Sequence, residues 1–156
     1  GFDPVHKGHL RMFREASWLG HQVIVGLNSD DWLTRKKDKP FMKFEERKEI
    51  IEGFKYVNQV IPFDDSDDTA SDLIKRVHSI YEGEEHEHEY EDFDHMGMVG
   101  YYQLYFANGG DRTTDNVPEM KVCKELDVTM LWGVGGGKIQ SSSWLINGGK
   151  DEISNS

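Results

Sequence analysis

Along the chain, segments whose apolar residues have the spacing of an amphipathic helix alternate with short apolar runs rich in β-branched residues. Between Leu10 and Leu19 apolar residues recur at helical spacing, which predicts a helix that Gly20 ends. The apolar run over 21–27 that follows is typical of a buried parallel strand. The same patterns predict helices over 44–54, from a cap at 67–69 through Tyr81, and over 118–126, and strands over 57–63, 103–107 and 128–132.

Two segments break this alternation. Residues 32–43 are basic and polar and contain Pro40, which predicts that they are largely a loop. Residues 82–94 hold eight acidic residues and no Lys or Arg, a composition that disfavours a packed core. We therefore expect an acidic insertion at about 82–102.

Strands that alternate with helices are typical of a three-layer α/β fold with a parallel sheet. A length of 156 residues fits a single domain over 1–156. The chain opens at Gly1 on a turn sequence, which normally follows a structured element. We therefore expect that the first strand of the sheet lies upstream of Gly1.

Composition narrows the classes of function. The net charge of −11 disfavours nonspecific nucleic-acid binding. The residues outside 82–94 carry a net charge of only −3, however, which permits a local site for an anionic substrate. No apolar stretch is long enough to span a bilayer. The single cysteine, Cys123, excludes an internal disulfide framework and a multi-cysteine metal site. We expect a cytoplasmic protein without a signal peptide, a nucleic-acid partner or a membrane partner.

The candidate chemistry lies in residues 2–10, where His6 and His9 flank Gly8 at the predicted turn from strand to helix. Side chains three apart fall on one side of a helix. Gly8 allows close backbone approach, and the free amides of a helix start favour anions. Imidazoles placed there can donate hydrogen bonds to phosphoryl oxygens. Two isolated histidines would better fit a capping turn on the surface, but the complete string favours a phosphate site.

That string resembles the His-x-Gly-His signature of the nucleotidyltransferase superfamily. The similarity runs on to Pro62 in the manner of glycerol-3-phosphate cytidylyltransferases, while 28–30 and 109–111 are even more similar to ADP-heptose synthases. The resemblance implies a Rossmann-like fold and a cytidylyltransferase-like reaction. A nucleotidyl group would pass from a nucleoside triphosphate, CTP in preference to ATP, to a small phosphorylated alcohol or sugar, with release of pyrophosphate. It also implies Mg²⁺ with the triphosphate, and a homodimer.

The resemblance implies roles for particular residues as well. His6 and His9 would stabilise the α-phosphate in the transition state. Lys36 and Lys39 would hold the triphosphate or the acceptor phosphate, and Arg47 would point from a helix at the same pocket. The other residues expected to bind nucleotide or phosphate are Gly1, Phe2, Asp3, Gly8, Gly110, Asp111, Ser141, Ser142 and Ser143.

Each of these roles has a plainer alternative. The basic cluster over 35–39 can be a solvated loop, and Arg47 can serve surface pairing at i,i+4 spacing. Asp111 can be a turn residue and 141–143 a helix cap. Asp3 is expected to touch the acceptor or Mg²⁺, and no protein ligands of a metal are assigned. The histidines within the acidic segment are expected to lie in a hydrated loop.

The resemblance leaves the reaction open in two respects. An arginine that cytidylyltransferases carry just before their final motif is absent here, and Lys138 is the nearest cation, so the donor base is not fixed. The segment 2–6 is also similar to nicotinate-mononucleotide and pantetheine-phosphate adenylyltransferases. A nucleotide-binding domain that has lost turnover is the alternative from another class.

Overall fold

A computed structural model describes residues 1–20, 22–84, 103–109 and 117–135 of the chain. Each helix and strand that the apolar pattern predicts in these ranges is present, with ends that differ by a few residues. In chain order the elements are α1 (Lys7–Ser17), β1 (Ile24–Leu27), α2 (Asp30–Lys37), α3 (Phe44–Glu52), β2 (Gln59–Pro62), α4 (Ser71–Glu84), β3 (Tyr105–Gly109), α5 (Glu119–Glu125) and β4 (Thr129–Val134).

The strands pair in parallel, as the sequence predicts. β1 lies beside β2 with Val25 opposite Val60, and β3 lies beside β4 with Phe106 opposite Met130. A parallel pair needs a crossover between its strands, because the chain must return to the same end of the sheet. Helices α2 and α3 provide the crossover for the first pair, and α5 lies in the crossover of the second.

Helices cover both faces of β1. Successive side chains of a strand point to opposite faces. Val25 and Leu27 pack in one apolar cluster with Phe13 of α1. On the other face, Gly26 lies so close to α4 that a Cβ added to it would be 2.1 Å from Cδ2 of Leu73. Helix, strand and helix therefore form three layers, and the predicted Rossmann-like α/β fold is confirmed.

A second apolar cluster joins α4, α5 and β4. Its buried members are Ile74, Val122, Cys123 and Val128. Burial raises the pKa of the Cys123 thiol, in keeping with its predicted role as a small core residue. Gly135, just after β4, has φ +90°, and a Cβ there would be 2.9 Å from Cα of Met12. Gly135 is therefore closely packed against α1.

The prediction that 32–43 is largely a loop is wrong, because α2 occupies Asp30–Lys37. Ser29 caps this helix by accepting a hydrogen bond from the Trp32 amide at 3.1 Å. Two acidic residues in its first turn and three basic residues in its last match the helix dipole. Leu33, which is 2% exposed, anchors the helix to the core, so the polar composition reflects an exposed helix face.

The end of α4 and the predicted acidic insertion are neighbouring features, of which the structure describes the first and only the start of the second. Helix α4 continues past its predicted end at Tyr81 to Glu84. The rest of the predicted acidic insertion, from 85 to 102, lies outside the described residues. No helix within the described ranges is long and apolar enough to cross a membrane.

Replacing Gly26 with alanine should destabilise the protein, because the new Cβ would overlap the Leu73 side chain. We expect a loss of about 1–3 kcal/mol in the free energy of unfolding, measured by urea titration. Gly20→Ala is the matched control, since nothing lies within 4 Å of its added Cβ. Equal stability of the two variants would contradict the close packing of α4 on β1.

Candidate active site

The two signature histidines cap the start of α1 reciprocally. The Gly8 amide donates to Nδ1 of His6 at 3.1 Å, and the His6 amide donates to Nδ1 of His9 at 3.2 Å. This is the geometry of a capping box, usually formed by Ser or Thr at the N-cap and Glu or Gln three residues later. The i,i+3 spacing in the sequence is therefore the spacing that places both rings at the helix start.

The capping bonds also fix where each imidazole holds its proton. A ring nitrogen that accepts an amide hydrogen bond carries no proton, so in both rings the hydrogen is on Nε2. The rings of His6 and His9 stack with centroids 3.7 Å apart and planes 20° from parallel. Each ring thus keeps an Nε2–H donor, and both rings lie at the electropositive end of α1. This arrangement suits an anion with several oxygens, such as a phosphate.

His9 is held in its neutral form. Burial, and then the nearby His6, lowers its pKa from 6.5 to about 3. Its ring stacks on His6 and makes a T-shaped contact with Phe2, with ring centroids 4.7 Å apart. His9 can therefore act at neutral pH as a hydrogen-bond donor but not as a cation.

Asp3 is buried beside this turn, with 1% of its surface exposed. Its carboxylate accepts hydrogen bonds from the amides of Phe41 and Met42 at 2.6 and 2.5 Å. Nζ of Lys37 lies 3.0 Å from the same carboxylate. Contact of Asp3 with the acceptor or Mg²⁺ stays a prediction, and these bonds favour a role in positioning the connection between α2 and α3.

Arg47 is fully buried, so the alternative that it serves surface pairing is wrong. Its guanidinium donates to protein atoms in three separate segments. The acceptors are the carbonyls of Met42 (2.9 Å), Gly1 (3.1 Å) and Asn28 (2.9 Å) and the carboxylate of Asp30 (2.8 Å). Arg47 therefore holds the residue before the signature, the end of β1 and the start of α3 in one place.

The sequence prediction missed Asp65, which is 4% exposed and follows β2. Its carboxylate accepts from the amide and the hydroxyl of Ser29, both at 2.7 Å, and from the Asn28 side chain at 3.2 Å. The carboxyl ends of parallel strands meet at one edge of a sheet. This rule, applied to the residues after the two predicted strands, could have identified the contact.

Lys36 and Lys39 are both exposed. The Lys36 ammonium lies 5.5 Å from the ring centroid of Trp32, and no carboxylate of the described residues forms an ion pair with either lysine. Arg35, Lys36 and Lys37 lie in the last turn of α2, whereas Lys39 lies in the exposed turn that follows the helix. Lys37, which the prediction passed over, is the lysine that contacts the signature turn.

The remaining predicted site residues, Gly110, Asp111, Ser141, Ser142 and Ser143, lie outside the described residues. Their roles stay predictions. In the ranges that are described, no group of three or more His, Cys, Asp and Glu side chains is placed to hold a metal ion.

Arg47→Lys should cost about 2–4 kcal/mol in the free energy of unfolding, because one ammonium cannot reach four acceptors set for a planar fork. Arg76→Lys is the control, since Arg76 forms an exposed i,i+4 pair with Asp72. We expect a change within about 0.5 kcal/mol there. Urea unfolding measures both values, and an equally small loss at Arg47 would contradict its role in joining the three segments.

His9 should remain unprotonated in the folded protein down to about pH 4, since its pKa is lowered to about 3. An NMR titration of the imidazole signals measures this directly, and a midpoint near 6.5 would exclude the buried neutral ring. The unfolded chain binds a proton at this histidine below about pH 6.5. The stabilising contribution of His9 is therefore complete above that pH and is lost as the pH falls towards the folded-state value.

Comparison with known proteins adds to this geometry. A family model described as cytidylyltransferase-like matches residues 1–129. The chain is 33% identical over 73 residues to glycerol-3-phosphate cytidylyltransferase of Bacillus subtilis, a match that covers 47% of this chain and 57% of that protein. It is 35% identical over 78 residues to the bifunctional protein HldE of Coxiella burnetii, covering 49% of this chain and 16% of that one.

A third relative is ethanolamine-phosphate cytidylyltransferase of Mus musculus, 34% identical over 61 residues, or 39% of this chain and 15% of the relative. The curated relatives thus match through little more than half of their length at most.

A crystal structure of the lipopolysaccharide core biosynthesis protein from Thermoplasma volcanium superposes with a TM-score of 0.52 at 17% identity, over 85% of this chain and 87% of that one. At that identity the likeness bears on the fold alone. The family model, in contrast, covers most of the chain and includes both the histidine cap and the segment that carries Arg47. On that match, the chain belongs to the cytidylyltransferase-like family.

Proposed function

We propose that the protein transfers a nucleotidyl group from a nucleoside triphosphate to a small phosphorylated alcohol or sugar and releases pyrophosphate. The observation that carries the proposal is the pair of stacked imidazoles, each with Nδ1 committed to the backbone and a proton on Nε2. Membership of the cytidylyltransferase-like family supports it.

The reaction needs no nucleophile from the protein. An oxygen of the acceptor phosphate attacks the α-phosphorus and forms a new P–O bond. The bond from the α-phosphorus to the oxygen bridging to the β-phosphorus breaks, and pyrophosphate leaves with that electron pair. Negative charge grows on the oxygens around the α-phosphorus, and preorganised donors there stabilise the transition state more than the ground state. The Nε2–H groups of His6 and His9 would supply such donors.

The triphosphate is proposed to arrive as its Mg²⁺ complex. Mg²⁺ takes most of its oxygens from phosphates and water and needs few protein carboxylates. The Asp3 carboxylate already accepts two amide hydrogen bonds and pairs with Lys37, which makes it a poor additional ligand. The ion is therefore treated as part of the substrate, in which it neutralises phosphate charge.

Lys36 and Lys39 are proposed to hold the triphosphate or the acceptor phosphate. Both are exposed and carry point charges on flexible side chains, Lys36 in the last turn of α2 and Lys39 two residues beyond its end. Gly110, Asp111 and the serines at 141–143 are proposed to complete the nucleotide pocket, as the resemblance to the family implies.

CTP is the proposed donor, because glycerol-3-phosphate and ethanolamine-phosphate cytidylyltransferases are among the relatives. ATP is the second candidate, and the sequence segments similar to ADP-heptose synthases and to adenylyltransferases favour testing it. A cytoplasmic homodimer is proposed as the working form. A binding domain without turnover is the candidate from another class.

A pyrophosphate-release assay with CTP and ATP, each against a panel of phosphorylated alcohols and sugars, tests the function. We expect turnover with CTP and one acceptor. Stabilisation against heat by CTP without turnover on any acceptor would favour the binding domain, and turnover with ATP alone would reassign the donor.

His9→Asn isolates the proposed catalytic group. The asparagine oxygen can still accept the His6 amide bond, so the cap is kept while the Nε2 donor is lost. We expect turnover to fall about a hundredfold or more, with a loss of stability limited to the ring contacts of His9. His9→Ala should lose the same activity and more stability, because the His6 amide also loses its partner. An unchanged rate in His9→Asn would remove His9 from the catalytic step.

A further inference from the structure

The chain reverses sharply where α2 ends. Asp38 has φ +71° and ψ −49°, and the Lys39 amide donates to the Lys37 carbonyl at 2.8 Å. These values describe a classic γ-turn, a rare and strained conformation for a residue with a side chain. Such strain persists only where surrounding contacts determine it. The contacts that hold this turn therefore also determine where the backbone of Lys39 lies.

Those contacts converge on the buried carboxylate of Asp3. On the far side of the turn, the amides of Phe41 and Met42 donate to it. On the near side, Lys37 forms an ion pair with it and also donates from Nζ to the Asp3 carbonyl. The chain is thus held on both sides of the γ-turn by one residue of the signature.

Lys37 is the cation that compensates this buried charge. The Asp3 side chain is fully buried, while 28% of the Lys37 side chain is exposed. Removing one member of such a pair leaves an uncompensated charge in a poorly solvated place, so the surroundings must rearrange. The rearrangement would affect the amides that share the carboxylate.

We propose that Lys37 is a positioning residue that fixes the turn at 38–42, and with it Lys39, against the signature turn that leads into His6. Lys37 acts through Asp3 and does not contact substrate. Its effect on the turn stands on geometry alone, whereas its effect on substrate binding rests on the proposed function.

Hydrogen exchange followed by NMR tests the effect on the turn. In Lys37→Met we expect the amides of Phe41 and Met42 to exchange about tenfold faster or more. The Asp3 carboxylate rearranges when its cation is removed, and this weakens the hydrogen bonds that the two amides donate to it. The amides of Val25 and Leu27, in the core strand β1, should be unchanged and exclude global unfolding as the cause. Faster exchange confined to the turn supports the proposal, and unchanged exchange at Phe41 and Met42 overturns it.

Two further variants test whether the protection of the turn amides depends on a positive charge at position 37 in particular. Lys37→Arg keeps the cation and should restore most of the protection. Lys48→Met removes the same charge from an exposed i,i+4 pair on α3 and should leave the turn amides unchanged. Loss of protection in Lys48→Met as well would overturn the assignment of Lys37.

Calorimetric titration of Mg·CTP completes the test. Lys37→Met should weaken binding about tenfold, consistent with loss of one positioned phosphate contact. Lys36→Met should weaken binding while leaving the turn amides protected. If Lys37→Met loses protection but binds Mg·CTP as before, the proposed link to substrate is overturned. If the unaltered protein binds neither CTP nor ATP, the proposed function fails, and the exchange data still decide the role of Lys37 in the turn.

Discussion

The polar groups at the carboxyl end of β1 are partly buried, and they need hydrogen-bond partners from the protein. Parallel pairing brings the end of β2 to the same edge, so Asp65 reaches the amide and hydroxyl of Ser29. The Arg47 guanidinium supplies donors to the carbonyls of Gly1 and Asn28. The signature turn is therefore fixed by the same hydrogen bonds that satisfy the strand end.

The signature histidines combine a structural role with a chemical one. Each uses Nδ1 to satisfy an amide at the start of α1, and this leaves the proton on Nε2. The cap thus sets the tautomer, the stacking sets the relative position of the rings, and burial keeps His9 neutral. A phosphate would meet donors whose geometry and protonation are settled before it binds, which is the condition for electrostatic stabilisation of a transition state.

Much of the fold could be predicted, and part of the site could not. Apart from α2, the helices and strands in the described ranges follow from local periodicity, which needs no knowledge of neighbours. Helix α2 was missed because its polar composition hides a single buried anchor, Leu33, and a cap at Ser29. The sequence prediction left Arg47 open between a role in the pocket and surface pairing, since nothing local distinguishes a buried guanidinium from an exposed one. Three adjacent cations, Arg35, Lys36 and Lys37, likewise have different surroundings that only the fold assigns.

By itself the sequence determined most of the helices and strands and the pair of histidines at i,i+3 spacing, because these depend on residues close together in the chain. The parallel pairing of the strands followed only as an inference from their alternation with helices. Tertiary structure alone decided which charges are buried, that Asp3 binds the amides of Phe41 and Met42, and which lysine touches the signature turn. Such contacts join residues more than thirty positions apart. Their energies depend on desolvation and on the directions of donors and acceptors, which exist only once the strands and helices have packed.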